Sequence, residues 1–211
     1  MLSLTTVGVF ALASIVLALI PGPDMLYIAT RSVAQGRSAG VVSALGVHAG
    51  VLIHTLAAAL GLSALIAASA VAFSVVKFAG AAYLVVLGIK TLVSKSESFD
   101  VKVTSKAKLG EIFYQGLVTN VLNPKVILFF LAFLPQFVDP ARGSVSLQLL
   151  QLGLLLFIVT LPIDISVGLA GGAVGAWLSA RSHMQAASKW FTGAVFIALG
   201  IGTALHGSRK L

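Results

Sequence analysis

Two prolines and a glycine interrupt an apolar run near the N-terminus of the chain. The run from Leu4 to Ile20 has no charged residue, Pro21-Gly22-Pro23-Asp24 follows it, and apolar residues resume at Met25 to Ala29. Proline lacks the backbone N–H that continues a helix, and freed backbone groups are tolerated in a bilayer only where protein or water satisfies them. The motif therefore marks either a kink packed against other helices or an interrupted helix that lines a cavity.

The composition places this run in a membrane. The 211 residues are 58% hydrophobic and 9% charged, with a mean hydropathy of +1.05, whereas soluble domains carry about 25% charged residues. The net charge of +8 lies in short loops and near apolar ends, with no basic, aromatic-interleaved patch, so we interpret it as topological and expect no nucleic-acid partner. The chain has no cysteine, which excludes thiol–disulfide chemistry and thiolate metal sites.

Six segments are long and apolar enough to span a bilayer, for which about 20 residues are needed. Their predicted bounds are Leu4 to about Ser32, Val41 to Ile66, Val71 to Val93, Glu111 to Val138, Leu147 to Leu178, and Ala186 to Leu205. The sequence thus predicts one all-α transmembrane domain over residues 1–211, with a polar central loop at about 94–109. The N-terminus lacks a basic region and an obvious small-residue cleavage site, so we expect no cleaved signal peptide.

The lysines and arginines predict the orientation. Nine of them fall on the side that includes the central loop and four on the other side, and such residues are enriched on the cytoplasmic side. Both termini would then face the periplasm, although Arg209 and Lys210 oppose this assignment.

The two halves of the chain resemble each other. Residues 77–91 align with residues 189–203, and Lys, Ala, Leu, Gly, Ile and Thr recur in register. Pro21 in the first segment corresponds to Pro124 of Asn123-Pro124-Lys125 in the fourth. With three segments in each half, residues 1–93 and 110–211 form an inverted-topology repeat whose first helix is broken at proline, an architecture common among secondary transporters.

Two ionisable residues fall in the middle of their segments, where they are costly unless they face the bundle interior. His54 shares a helical face with Gly46, Gly50, Ala57 and Gly61. Asp164 lies on a similar small-residue stripe with Gly168, Gly171, Gly172 and Gly175. Aligning the second segment with the fifth makes His54 and Asp164 pseudo-symmetry partners. His48 lies off the face of His54 and is interpreted as structural or as a residue near a helix interface.

The two proline breaks place further polar groups at the same depth. Lys125 needs a partner for its ammonium, which a substrate carboxylate, Asp24 or Asp164 would provide. Half-helix N-termini also attract anions, so the breaks together suit a small zwitterion or anion. The sequence slightly favours Asp24 as a side-chain cap of the second half-helix over Asp24 as a ligand and leaves both open. Tyr27 and Asn120 are interpreted as flanking contacts.

At these motifs the chain resembles the LysE/RhtB family of amino-acid exporters and is most similar to the homoserine/threonine-type branch. The residues that carry the resemblance are Pro21-Gly22-Pro23, residues 50–54, residues 80–88, and residues 123–137. The resemblance implies proton-driven efflux of small amino acids or derivatives, such as threonine, homoserine or homoserine lactone, across the bacterial inner membrane. It implies no role for Asp24.

The leading hypothesis is a secondary active exporter, not an enzyme, that needs no cofactor or metal and binds substrate through residues at the two breaks and in the segment centres. The candidate binding or coupling residues are Pro21, Gly22, Pro23, Tyr27, His54, Asn120, Asn123, Pro124, Lys125 and Asp164. His54 and Asp164 are the candidate proton-coupling or ammonium-contact groups, since a histidine titrates near neutral pH. The main alternative is a passive channel for small zwitterionic or anionic solutes. An intramembrane enzyme and a purely structural protein are further alternatives, and the sequence leaves the oligomeric state open, a homodimer included.

Overall fold

The first predicted segment is two helices joined at the proline break. In the computed structural model, which describes residues 2–64 and 107–179 and single positions between 71 and 93 and between 190 and 201, helix α1 spans Leu4–Leu19 and helix α2 spans Pro23–Gln35. The axes bend by 52° between them. Gly22 is the extended N-cap of α2, and Pro23 takes the first helical position, where its missing N–H costs nothing. The predicted interruption is confirmed.

The second segment is one long helix that starts directly after α2. Gly36 has a φ of 90°, a conformation that glycine adopts without steric cost, and it allows α3 to begin at Arg37. Helix α3 spans Arg37–Ala57 and continues as a π-helical turn over Ala58–Leu62. Together these residues are long and apolar enough to cross a membrane.

The fourth predicted segment is also broken, again at a proline. Helix α4 spans Leu109–Val121, and helix α5 spans Pro124–Leu128. The chain continues as a π-helical turn over Phe129–Phe133 and a 3₁₀ turn over Leu134–Phe137, with a bend of 46° between α4 and the helical stretch that follows Asn123. The Asn123 side chain caps α5 by accepting a hydrogen bond of 3.0 Å from the Lys125 backbone N–H.

The fifth predicted segment is the longest helix of the described residues. A short 3₁₀ turn over Pro140–Arg142 precedes α6, which spans Val145–Ser179 and contains Pro162. The predicted third and sixth segments, the central loop and the aligned residues 77–91 and 189–203 lie for the most part outside the described residues. The six-helix inverted repeat therefore stays a prediction.

Helix α3 packs between α4 and α6 through small residues. Its contacts with α6 run in opposite directions along the two helices: Gly40 with Gly168, Thr55 with Gly153, and Ser63 with Ser146. Its contacts with α4 run in the same direction: Gly46 with Phe113, and Gly50 with Asn120. Small residues allow the close backbone approach on which helix packing in membranes depends. Helix α3 is thus antiparallel to α6 and parallel to α4.

Phenylalanines pack the first broken helix against the second. The Phe10 ring of α1 lies 5.7 Å from the Phe129 ring and 5.1 Å from the Phe137 ring, measured between centroids. Phe133 lies 4.9 Å from both Phe129 and Phe137. These are the distances at which aromatic pairs attract each other, and the cluster holds the two helix breaks close together.

Candidate functional site

A cavity lined by both polar and apolar side chains lies between the two helix breaks. Its volume is about 50 Å³. Five of its lining residues carry polar side chains, namely Asp24, Asn120, Lys125, Thr160 and Asp164, and the remainder are apolar residues such as Leu17, Met25 and Val51. The cavity therefore concentrates two carboxyl groups and one ammonium group within an apolar helical bundle.

Asp24 is held in this cavity by α4. The Asn120 side-chain N–H donates a hydrogen bond of 2.8 Å to Asp24 Oδ2, and Asp24 and Asn120 are 8% and 1% exposed. Gly22, not Asp24, is the N-cap of α2, and no side chain caps that terminus. The prediction that Asp24 caps α2 is therefore wrong, because its carboxylate reaches across to Asn120.

Lys125 bridges from the second break to the first. Its Nζ donates hydrogen bonds of 3.0 Å to the Ile20 carbonyl and 3.2 Å to the Leu17 carbonyl. These carbonyls lie at the C-terminal end of α1, where a helix leaves acceptors unsatisfied and carries partial negative charge. The sequence suggested a substrate carboxylate, Asp24 or Asp164 as the partner. Within the described parts of the chain, neither aspartate forms an ion pair with Lys125.

A second polar cluster joins α3 to α6 beside the cavity. His48 is 1% exposed, and its Nδ1 lies 3.0 Å from the Ala44 carbonyl and 3.7 Å from Asp164 Oδ2. The other ring nitrogen, Nε2, lies 3.1 Å from the Thr160 hydroxyl. That hydroxyl also lies 2.9 Å from the Leu156 carbonyl.

The hydrogen-bond inventory of this cluster allows two arrangements. A carbonyl only accepts, so Nδ1 of His48 donates to Ala44. In a neutral imidazole, Nε2 then accepts from the Thr160 hydroxyl. In an imidazolium, Nε2 is a donor, and the Thr160 hydrogen turns to the Leu156 carbonyl. Gain of a proton by His48 therefore reorients Thr160 and places a positive charge 3.7 Å from Asp164.

Comparison with known proteins identifies the family. The model of the LysE type translocator matches residues 15–207. The chain belongs to the LysE type translocator family. It is 31% identical over 200 residues to the homoserine/homoserine lactone efflux protein of Salmonella typhimurium, covering 93% of this chain and 96% of that protein. No solved structure matches the chain.

Two further relatives cover a similar share of the translocator. The leucine efflux protein of Salmonella choleraesuis is 30% identical over 192 residues, or 89% of each chain. The uncharacterized membrane protein YrhP of Bacillus subtilis is 29% identical over 198 residues, or 90% of this chain and 93% of that protein. The family resemblance seen in the sequence is thereby confirmed, and the chain is a membrane protein of a translocator family.

The structure brings some of the predicted site residues of the translocator together and leaves others apart. Asn120, Lys125 and Asp164 line the cavity. Pro21, Gly22, Pro23, Asn123 and Pro124 form the two breaks beside it. Tyr27 lies outside the cavity lining, and its hydroxyl donates to the Ile112 carbonyl at 2.6 Å.

His54 also lies outside the cavity lining. Its Nε2 is 3.3 Å from the Asn120 carbonyl, and its ring stacks on Phe130 at 5.4 Å. The stripe that His54 shares with Gly46 and Gly50 faces α4. His48 belongs to the face that meets α6 and so reaches Asp164. Sequence periodicity separates these two faces correctly, but no sequence signal shows which neighbouring helix each one meets.

Proposed function

We propose that this translocator is a secondary active exporter of small amino acids or their derivatives. Threonine, homoserine, homoserine lactone and leucine are the candidate substrates, in line with the resemblance and with the names of the relatives. The proposal rests above all on the cavity between the two breaks, where Asp24, Lys125 and Asp164 place charges of both signs. Buried charges in a membrane are costly and mark substrate or ion pathways.

The groups at the cavity match the two ends of an amino acid. The carboxyl groups of Asp24 and Asp164 suit an ammonium, while the Lys125 ammonium suits a carboxylate. Asn123 adds a side-chain N–H that is buried and has no partner among the described residues. We further propose that the protein lies in the bacterial inner membrane with both termini in the periplasm. We also propose that the chain forms two inverted three-helix repeats.

The size of the cavity supports alternating access rather than an open pore. A volume of about 50 Å³ accommodates about three to five water molecules, which have fewer non-hydrogen atoms than a complete leucine or threonine. Substrate entry then requires the lining helices to separate on one side at a time, as in other transporters with broken helices.

We assign proton coupling to Asp164 together with His48. The sequence favoured His54 with Asp164, but His48 is the histidine that lies beside Asp164, at 3.7 Å. The Asp164 carboxylate is the charged group within 4 Å of the His48 ring in the described part of the chain. A proton on His48 changes the hydrogen bond to Thr160 and the charge at the cavity wall, which links the proton to the substrate site.

Uptake into everted membrane vesicles tests the function and its coupling. We expect the wild type to accumulate at least one of the four candidate substrates when a pH gradient is imposed, and to show counterflow of that substrate without the gradient. A channel gives no counterflow, so its absence would contradict the transporter proposal.

Variants of the two histidines separate the coupling assignments. We expect Asp164→Asn and His48→Gln to retain counterflow but to lose the accumulation driven by the pH gradient. His54→Ala is the control variant and should keep the accumulation driven by the pH gradient, because His54 lies outside the cavity. Full gradient-driven accumulation by Asp164→Asn and His48→Gln would refute the coupling assignment and leave the transport proposal intact.

A further inference from the structure

One carboxylate oxygen at the cavity lacks a donor. Asp24 Oδ2 is bonded to Asn120, but Asp24 Oδ1 is buried and has no hydrogen-bond partner among the described residues. Asp24 as a whole is 8% exposed and lines the cavity. Buried polar atoms almost always have partners, and an unpartnered charged group is costly. The buried side-chain N–H of Asn123, at the second break, also has no partner and is a candidate donor, but no cation among the described residues forms an ion pair with the Asp24 carboxylate.

The other charged groups of the cavity are already engaged. Asp164 lies beside His48, and Lys125 has committed two of its three N–H groups to the Leu17 and Ile20 carbonyls. The cavity thus offers a carboxylate that has no paired cation among the described residues, whereas its single ammonium is largely satisfied. This arrangement favours an incoming cation over an incoming anion.

We propose that Asp24 binds the α-ammonium group of the substrate, and that the translocator selects for this primary amine more strongly than for the carboxylate. The inference rests on the proposed export of amino acids and names the group that is recognised. Amino-acid esters and lactones, which keep the ammonium, are then ligands. Hydroxy acids of the same shape, which keep the carboxylate but lack the ammonium, are weaker ligands.

Competition in proteoliposomes tests this selectivity. Counterflow of labelled leucine, or of threonine if the wild type transports that instead, is inhibited with the methyl ester of the same amino acid and with its 2-hydroxy acid. For the wild type we expect the ester to compete within about tenfold of the amino acid. The hydroxy acid should compete about 10- to 100-fold more weakly than the ester, which is the range for one hydrogen bond to a charged group.

Asp24→Asn keeps the shape of the side chain and an acceptor for Asn120 but removes the charge. We expect it to weaken binding of the amino acid and of the ester about 10- to 100-fold and to change hydroxy-acid binding less than threefold, so that the discrimination collapses. Asp24→Glu should retain the discrimination. Asp139→Asn, which removes a carboxylate paired with Arg142 outside the cavity, should behave as the wild type.

Three results would overturn the inference. They are a wild type that binds the hydroxy acid as well as the ester, an Asp24→Asn variant with unchanged discrimination, and a collapse of discrimination in Asp164→Asn but not in Asp24→Asn. The wild-type comparison needs no variant, so it can refute selection for the amine even if Asp24→Asn fails to fold. A wild type without counterflow of any candidate amino acid would refute the proposed function itself.

Discussion

Gly50→Ala should disable the substrate site without altering any residue that lines it. Gly50 of α3 lies against the Asn120 side chain, and a methyl group at position 50 would lie 2.6 Å from Asn120 Oδ1 and 2.8 Å from Asn120 Cβ. Real carbon atoms do not approach this closely, so the Asn120 side chain must move. Asn120 is the residue that fixes Asp24 through a hydrogen bond of 2.8 Å.

The size of the displacement follows from these distances. Relieving the contact with Asn120 Oδ1 needs a movement of about 0.8 Å, and the contact with Asn120 Cβ at 2.8 Å means that α4 moves with the side chain. A movement of this size away from Asp24 would take the 2.8 Å bond outside the usual range of about 2.7–3.2 Å. Overpacking of this kind costs about 1–3 kcal/mol, and loss of a hydrogen bond to a charged group costs about 1.5–3 kcal/mol. We therefore expect amino-acid affinity to fall at least about tenfold.

The assay is leucine or threonine counterflow in proteoliposomes, with thermal unfolding in detergent as the measure of folding. Gly61→Ala is the matched control, because it lies on the same small-residue stripe and a methyl group there meets nothing within 4 Å among the described residues. That variant should retain wild-type affinity. Gly61→Ala also reports the gain in helix propensity, about 1 kcal/mol, that accompanies any such substitution.

Two results would contradict the role of Asn120. If Gly50→Ala folds and binds amino acid with the affinity of Gly61→Ala, then Asn120 does not hold Asp24 in its binding position. If both variants lose affinity equally, the small-residue stripe acts through general helix packing and not through Asn120.

Two further predictions concern stability. Lys125→Met removes the hydrogen bonds to the Leu17 and Ile20 carbonyls and should destabilise the protein by about 3 kcal/mol. Thermal unfolding measures this loss, with Lys108→Met as the control because Lys108 is exposed. Equal melting temperatures of the two variants would contradict the prediction. Phe129→Ala opens the aromatic cluster between the two broken helices and should cost about 3 kcal/mol, the low end for such a change, because in a bilayer only packing is lost. Its control is Phe113→Ala, since Phe113 is 38% exposed and Phe129 only 2%. Similar losses of stability in both variants would refute the role of the cluster.

The sequence by itself determined the two breaks and the four helical segments that the structure describes. Apolar length and the presence of proline are local properties, and proline removes a backbone donor wherever it stands. Residues 20–23 and 121–124 therefore set where α1 and α4 end and where α2 and α5 begin. The cost of burying charge placed Lys125 and Asp164 inside the bundle, and both line the cavity.

The tertiary structure decided how these groups pair. Periodicity assigns residues to faces of a helix, but the neighbour that each face meets depends on how the helices pack. The crossing of α3 with α6 at Gly40 and Gly168 brings His48, not His54, to Asp164. Asp24, the second residue of α2, accepts a hydrogen bond from Asn120 of α4 and does not cap its own helix. Local sequence cannot contain this information, because each of these pairs joins positions about a hundred residues apart in the chain.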